Sequence, residues 1–410
     1  MRSIRVGLIA GAVAALSMAG VAHAELVNVA SQVGIAETTR TFSAAPADFN
    51  KDGRDDFLFV RHVGNEGLEG VPFSTLYKNT GGAFTNYITA GLGRTDKHGC
   101  DWGDANVDGR LDLFCAVGFT QSSKNELWIQ NADGTFSNRT QAWGLTLNEH
   151  GRYRYATFIY ANNDARPDLY VARYTGSCFC DRNGDGQVDY PGDTWPNELW
   201  INEGTSYRHA PEFGLDQPIG AKKDNATCAQ AVDYDKDGDE DLLVCAWKQT
   251  YLYNNQGGNG FVNVTAQKNA GGAAQDARLI DINGDGIRDF VRLTKSAVSV
   301  RYGNGSGGFG SAQGLASIVS GEALAFGQTD AGGTTDIYAL ASRGKLKNDQ
   351  PDKLLLNNGN GTFTTVVIPA NSGSGDDVQP LDYDNDGRSD WVVTNGDRHI
   401  AGPLQLFTWR

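Results

Sequence analysis

The chain lacks most of what announces an enzyme. It has no Gly-x-Ser-x-Gly elbow, no His-Glu-x-x-His pair and no glycine-rich phosphate loop. The usual sequence warrants for a serine hydrolase, a zinc protease or a nucleotide-binding enzyme are therefore missing. No helical hydrophobic period runs through it. Beyond residue 24 no apolar stretch is long enough to span a membrane. Positive charge is in deficit: 35 Lys and Arg, less Arg2 and Arg5 of the leader described below, leave 33 against 49 acids, or −16. Nucleic acid is not an expected partner for such a surface. Acidic pairs abound, but a repeated loop accounts for most of them, so no catalytic residue is assigned.

That loop, Asp-x-Asp/Asn-x-Asp-Gly-x-x-Asp, is the dominant feature of the sequence. Taking positions 1, 3, 5, 7 and 9, the six intact copies carry Asp48, Asn50, Asp52, Arg54 and Asp56; Asp104, Asn106, Asp108, Arg110 and Asp112; Asp181, Asn183, Asp185, Gln187 and Asp189; Asp233, Asp235, Asp237, Asp239 and Asp241; Asp281, Asn283, Asp285, Ile287 and Asp289; and Asp382, Asp384, Asp386, Arg388 and Asp390. Ca²⁺ takes about six to eight oxygen ligands, and side chains at 1, 3, 5 and 9 with the carbonyl at 7 supply such a shell. The glycine at 6 permits the tight turn. Two worn copies run Tyr160–Asp168 and Gln328–Asp336; they are expected to keep the turn and to bind the ion weakly or not at all. An EF-hand would add a Glu at position 12 and flanking helices. Here position 12 is Phe59, Cys115, Val244, Arg292 or Val393, and a β-rich apolar run such as Phe57-Leu-Phe-Val60 follows instead. Each loop therefore caps a β-hairpin.

The ninth-position aspartates also act as a ruler. Asp56, Asp112, Asp168, Asp241, Asp289, Asp336 and Asp390 stand 56, 56, 73, 48, 47 and 54 residues apart. The long interval holds the extra loop Asp181–Asp189, within an insertion over 173–197. After each loop comes a strand, an Asn/Gly turn and an aromatic, as in Leu76–Phe84, Leu127–Phe136 and Leu354–Phe363. Four strands per unit and seven units predict an all-β, seven-bladed propeller of antiparallel blades over residues 25–410. The last unit ends at Leu404–Trp409 with no closing strand. Residues 25–35, which resemble Phe261-Val-Asn-Val-Thr265, are expected to close the ring.

The Asp loops and Gly-x-Phe turns resemble FG-GAP/VCBS repeats, the units of integrin α-chain heads and of many bacterial secreted proteins. The resemblance covers nearly all of residues 25–410. It implies the propeller fold and Ca²⁺ sites. The family includes adhesion modules, lectins and some polysaccharide lyases, so it does not choose a function.

Residues 1–24 read as a signal peptide: Arg2 and Arg5, an apolar stretch, and Ala22-His-Ala24 as the cleavage site. The first cysteine is Cys100, so no lipidation site stands at that cleavage point. The mature protein is expected in the periplasm or outside the cell, as a monomer without a membrane span. Its six cysteines then suggest disulfides. Cys100 and Cys115 flank one loop, and Cys228 and Cys245 flank another, in one hairpin register. Both pairs are expected to bond. Neighbouring rungs differ in hydrogen-bonding type, so the one-residue offset between the pairs calls for a shift in one loop or a strained bridge. Cys178 and Cys180 remain as a small ring or as free thiols.

Two places break the repeat. One is the insertion 173–197. The other is a set of cations and aromatics that enter the first strands of neighbouring units: Lys97 and His98; Arg152, Tyr153 and Arg154; Lys222 and Lys223. Near a central mouth they would suit an anionic or sugar ligand. The reading is a Ca²⁺-stabilised binding or adhesion module for a glycan or extracellular protein. A calcium-dependent polysaccharide lyase using Arg152, Tyr153 and Arg154, and a purely structural envelope protein, are the alternatives.

Overall fold

The computed structural model describes residues 25–62, 74–88, 92, 95–118, 125–145, 153–173, 196–216, 226–342, 349–369, 374–396 and 400–410. The leader, most of the insertion with its loop Asp181–Asp189, Cys178 and Cys180, and Arg152, Lys222 and Lys223 lie outside the described residues.

Twenty-nine strands and one 3-10 turn, Pro211–Phe213, make up the described secondary structure. The chain begins with β1 (Leu26–Asn28) and β2 (Thr38–Thr39). Blade 1 is β3 (Thr41–Ala47), β4 (Asp56–Arg61), β5 (Thr75–Asn79) and β6 (Phe84–Ile88). Blade 2 is β7 (Lys97–Gly103), β8 (Asp112–Val117), β9 (Glu126–Gln130) and β10 (Phe136–Asn138). Blade 3 is β11 (Tyr153–Ile159), β12 (Asp168–Arg173), β13 (Glu198–Asn202) and β14 (Tyr207–His209). Blade 4 is β15 (Ala226–Val232), β16 (Asp241–Ala246), β17 (Tyr251–Asn255) and β18 (Phe261–Asn263). Blade 5 is β19 (Asp276–Ile280), β20 (Asp289–Leu293), β21 (Ala297–Arg301) and β22 (Gln313–Ser317). Blade 6 is β23 (Gly321–Gly327), β24 (Asp336–Ala341), β25 (Asp352–Asn357) and β26 (Phe363–Ile368). Blade 7 is β27 (Asp377–Leu381), β28 (Asp390–Thr394) and β29 (Gly402–Trp409), completed by β1 with Leu26 opposite Trp409 and Asn28 opposite Phe407. β2 adds a second short pairing to β29. The expected seven four-stranded blades and the N-terminal closure are present.

Packing explains why the second strand of each blade reads as an unbroken apolar run. β4, β8, β12 and β16 are buried at every residue because both faces of the blade meet neighbouring blades. Seven apolar clusters fill the seven interfaces, with Phe57, Phe59, Val392 and Leu406 between blades 7 and 1, and Val291, Leu293, Ile337 and Ala339 between blades 5 and 6. Val29, Val33 and Ile35 of the closing segment enter the first of these, and the Val33 carbonyl accepts from Phe84 N at 2.8 Å.

Both predicted disulfides are formed, Cys100–Cys115 and Cys228–Cys245, with Cα atoms 4.1 and 4.8 Å apart. The two loops keep one register, Gly103 opposite Asp112 and Val232 opposite Asp241. No loop shift is needed. The bridges fall on successive rungs, so they leave their blades on opposite faces. Cys115 packs toward blade 1, and Cys245 packs toward blade 5.

An asparagine at the end of the third strand ties each joint in most blades. In blade 4, Asn255 Nδ2 donates to the Ala161 carbonyl of blade 3 and to the Glu240 carbonyl, both at 3.1 Å. Its Oδ1 accepts from Gly258 N of the following turn at 2.9 Å. Asn79, Asn202 and Asn357 make the same link to the preceding blade, through the carbonyls of Tyr383, Ala105 and Ile282, and Gln130 makes it to Phe49. Blade 5 has Gly303 at this place, so that link is missing there. Replacing Asn255 by Ala leaves buried donors and acceptors without partners. We expect a loss of about 2–4 kcal/mol in urea unfolding at unchanged m value. Asn86→Ala on exposed β6 should stay within about 0.5 kcal/mol.

Blade 6 carries a buried carboxylate away from any loop. Asp352 accepts from the Tyr338 hydroxyl at 2.9 Å and from Ala341 N at 2.7 Å. Burial, only partly offset by these bonds, pushes its pKa up to about 7. A carboxyl raised in the folded state stabilises fully below its unfolded value near 4, and loses that stabilisation as pH rises through about 7. Asp352→Asn keeps the acceptor and cannot ionise. Its stability relative to the parent should therefore rise by roughly 2–3 kcal/mol between about pH 5 and pH 8, read from urea midpoints at fixed calcium.

Candidate metal loops and the opposite mouth

In each of the seven described copies the loop joins the first and second strands of its blade, so these loops lie on one face of the ring. The strands arrive there paired, with the residue before position 1 opposite position 9: Ala47 with Asp56, Leu381 with Asp390. In the five described intact loops, position 6 N–H donates to the position 1 carboxylate, as in Gly53 to Asp48 at 2.8 Å and Gly286 to Asp281 at 2.7 Å. The position 5 carboxylate accepts from position 7 N, as in Ile287 to Asp285 at 2.8 Å.

This winding needs two left-handed residues. Position 4 has positive φ in Lys51, Val107, Lys236, Gly284 and Asn385, and position 6 in Gly53, Gly109, Gly238, Gly286 and Gly387. Each worn copy keeps the turn with one of the two: Asn163 alone in 160–168, Gly333 alone in 328–336. Val107 is a β-branched residue at φ 56°, a conformation costing such a side chain about 1–2 kcal/mol. It is also exposed, so packing does not hold it there. Val107→Gly should therefore raise the unfolding free energy in excess chelator by about 1 kcal/mol, measured by urea titration.

The ninth aspartate is buried in all seven described loops, intact or worn. In blades 1 to 6 one oxygen accepts from a backbone amide at the end of the third strand or the turn beyond it. Examples are Asn79 N to Asp56 at 2.7 Å, Asn202 N to Asp168 at 2.8 Å and Asn357 N to Asp336 at 2.8 Å. The other accepts from position 2 N in the loops of blades 2 to 7, as in Ala161 to Asp168 at 2.9 Å. Burial pushes the pKa of Asp56, Asp112, Asp168, Asp241 and Asp390 up to about 7, and raises those of Asp289 and Asp336. Asp168 in a worn loop is shifted as far as Asp56 in an intact one. Its environment is thus set by the joint between strands, whatever the rest of the loop can bind.

Donor convergence is strongest in blade 4. Carboxylate oxygens of Asp233, Asp235, Asp237 and Asp241 lie within 4.8 Å of one another, as do those of Asp382, Asp384 and Asp390 in blade 7. Asp235 Oδ1 is buried with no hydrogen-bond partner. Loops 48–56, 104–112 and 281–289 bring an amide, Asn50, Asn106 or Asn283, to the third position. Arg54 pairs with Asp52 at 2.8 Å, and Arg110 and Arg388 pair with Asp108 and Asp386. All these donors are oxygens, a set that fits a hard cation such as Ca²⁺.

The expected cationic mouth comes out differently. Lys97 is fully buried, its Nζ 2.8 Å from Glu126 and 2.7 Å from Thr95 Oγ1. It points away from the mouth because alternate strand residues face opposite ways. Tyr153 is also buried and accepts from Arg173 at 2.8 Å. His98 stacks on Phe42 with ring centroids 4.2 Å apart, and the Arg154 guanidinium lies over the same ring. The set therefore does not converge as one basic patch among the described residues. His62 and Asp96, which meet His98, carried no signal in the sequence. Asp96 lies two residues before His98, but His62 comes from another blade.

A seven-bladed propeller with aspartate-rich loops capping its inner hairpins is the class that fold and loops define. The chain carries FG-GAP-like repeats: the family model of that description matches it at three places, residues 104–171, 233–291 and 329–393. No curated protein matches the sequence. Among solved structures it is similar to BBS1N in its complex with ARL6DN, at 8% identity over 91% of this chain and 93% of that one, TM-score 0.52. Another is an Agrocybe aegerita lectin described as specifically recognising non-reducing terminal N-acetylglucosamine, at 19% identity over 84% and 83%, TM-score 0.47. At these identities the likeness to BBS1N bears on the fold alone.

Proposed function

We propose that the protein is an exported, calcium-stabilised propeller that acts as a binding module for a glycan or protein ligand. The observation that carries the calcium reading is the blade 4 loop, where four carboxylates converge and one buried oxygen, Asp235 Oδ1, has no donor. Like charges so close repel unless a cation lies among them. Asp233, Asp235, Asp237 and Asp241 would hold Ca²⁺ there, with the Asp239 carbonyl. The equivalent residues of the other intact loops, including Asp181, Asn183, Asp185, Gln187 and Asp189, would do the same. Bound Ca²⁺ supplies charge neutralisation and cross-links the two inner strands of a blade. Because the unfolded chain has no such site, binding adds to folding stability.

Two disulfides fit an oxidising compartment. Among the described residues no helix is long and apolar enough to cross a membrane. A groove of about 570 Å³ on blade 4, lined by Gln249, Tyr251, Asn263, Thr265, Gln267 and Asn269, supports the glycan arm. Amide, hydroxyl and aromatic groups suit sugar hydroxyls and ring faces. The lyase reading loses Tyr153 as a base, since that hydroxyl is buried and bonded to Arg173.

Excess chelator should lower the thermal midpoint by roughly 10 °C or more, and added Ca²⁺ should restore it. Asp285→Ala, in an intact loop, should lower the midpoint in calcium more than Asp330→Ala in a worn one. An unchanged midpoint in chelator would sink the calcium reading. Glycan-array binding that disappears in Asn263→Ala or Gln267→Ala supports the glycan arm; array silence beside protein capture supports the other.

A further inference from the structure

On the face away from the Asp loops, blades 1 and 2 bring together three donors that the calcium reading leaves unused. His62 lies just beyond β4 of blade 1; Asp96 and His98 stand at the start of β7 of blade 2. One ligating atom from each lies within 4.8 Å of the other two. His62 Nδ1 is 2.6 Å from Asp96 Oδ1, and His98 Nε2 is 3.3 Å from Asp96 Oδ2. Bonds of about 2.0–2.2 Å to a divalent ion put neighbouring ligand atoms roughly 3–3.5 Å apart, so little adjustment is needed.

The hydrogen bonding of His98 sharpens this. Its Nδ1 lies 3.2 Å from the Tyr153 carbonyl, which can only accept, so Nδ1 carries the proton. Its Nε2 is then a lone pair unless the ring is an imidazolium. That nitrogen is buried, makes no hydrogen bond, and faces a carboxylate oxygen. A divalent ion placed there would take that nitrogen and the Asp96 carboxylate as ligands. Tying the far nitrogen to a backbone carbonyl is how metal-bound histidines are held in orientation.

Space for the ring exists because residue 118 has no side chain. A Cβ on Gly118 would stand 2.1 and 2.3 Å from His98 ring atoms and 2.8 Å from Asp96 Oδ2. On its other side the ring is fixed by Phe42, nearly parallel at 7°.

We propose that His62, Asp96 and His98 form a site for one divalent transition-metal ion, Zn²⁺ first, distinct from the oxygen-only loops. Two imidazoles and a carboxylate suit such an ion, whereas Ca²⁺ prefers oxygen throughout. Three protein ligands leave a position open for water or for a donor atom of a bound ligand.

The test uses untagged, calcium-saturated protein dialysed against Zn²⁺, with bound metal counted and Co²⁺ as a spectroscopic probe. We expect one Zn²⁺ per chain at micromolar concentration and visible Co²⁺ absorption that Zn²⁺ displaces. His98→Gln and His62→Gln should each weaken binding at least roughly tenfold. Asp285→Ala should leave the Zn²⁺ stoichiometry at one, which separates this site from the calcium loops. No stoichiometric Zn²⁺ binding, or binding that survives both histidine substitutions, overturns the proposal. If His98→Gln does not fold, His62→Gln, beyond the strand end, decides alone.

Discussion

A buried aspartate that ties the loop to the strands is the joint on which every blade depends, and in blades 2 to 6 it holds two backbone amides. At position 9 of each described loop, one carboxylate oxygen fixes the turn and, in six of the seven blades, the other fixes the third strand or the turn after it, as Asp112 does with Ala105 N and Gln130 N. The same place sets the blade against its neighbour, because the residue whose amide is held usually sends its side-chain amide to the preceding loop. Asn202 does all of this at once, toward Asp168, Gly204 and Ala105. Apolar clusters supply the bulk of the packing between blades. The aspartate and its amide partner fix the register in which that packing occurs.

This separates two roles that the loop motif merges. Positions 1, 3 and 5 carry the oxygens that the proposed cation would need, and that set is incomplete in 160–168 and 328–336. Position 9 serves the strands, and it does not decay: Asp168 and Asp336 keep the bonds and the burial of their intact counterparts. Position 1 N leans on the next blade in worn and intact loops alike: Tyr160 N donates to Glu240, Gln328 N to Ser389 Oγ and Asp382 N to Asp55. A blade can therefore lose carboxylates from positions 1, 3 and 5 and remain a blade.

Much of this was legible in the sequence because position 9 recurs for a geometric reason. Its spacing gave seven units, and the resemblance of residues 25–35 to later outer strands gave the closure through β1. The disulfide partners followed from hairpin register. The offset between the two pairs needed no adjustment, since strand alternation simply sends the bridges to opposite faces. Other features had no periodic trace. The asparagines of Leu-x-x-Asn looked like turn formers, and their link to the neighbouring blade is visible only once blades are stacked. Lys97 looked exposed because one strand's inward face cannot be told from its outward face without the register. His62 meets Asp96 across a blade boundary, and no local pattern connects them.

Hydrogen exchange of individual amides tests the central claim most directly. In excess chelator, the amides of Asn202 and Asn357, held by worn-loop aspartates, should be protected as strongly as those of Asn79 and Asn255, held by intact loops. Protection that survives only in the intact-loop blades, and only with calcium present, would contradict the account and make the ion, not the aspartate, the joint.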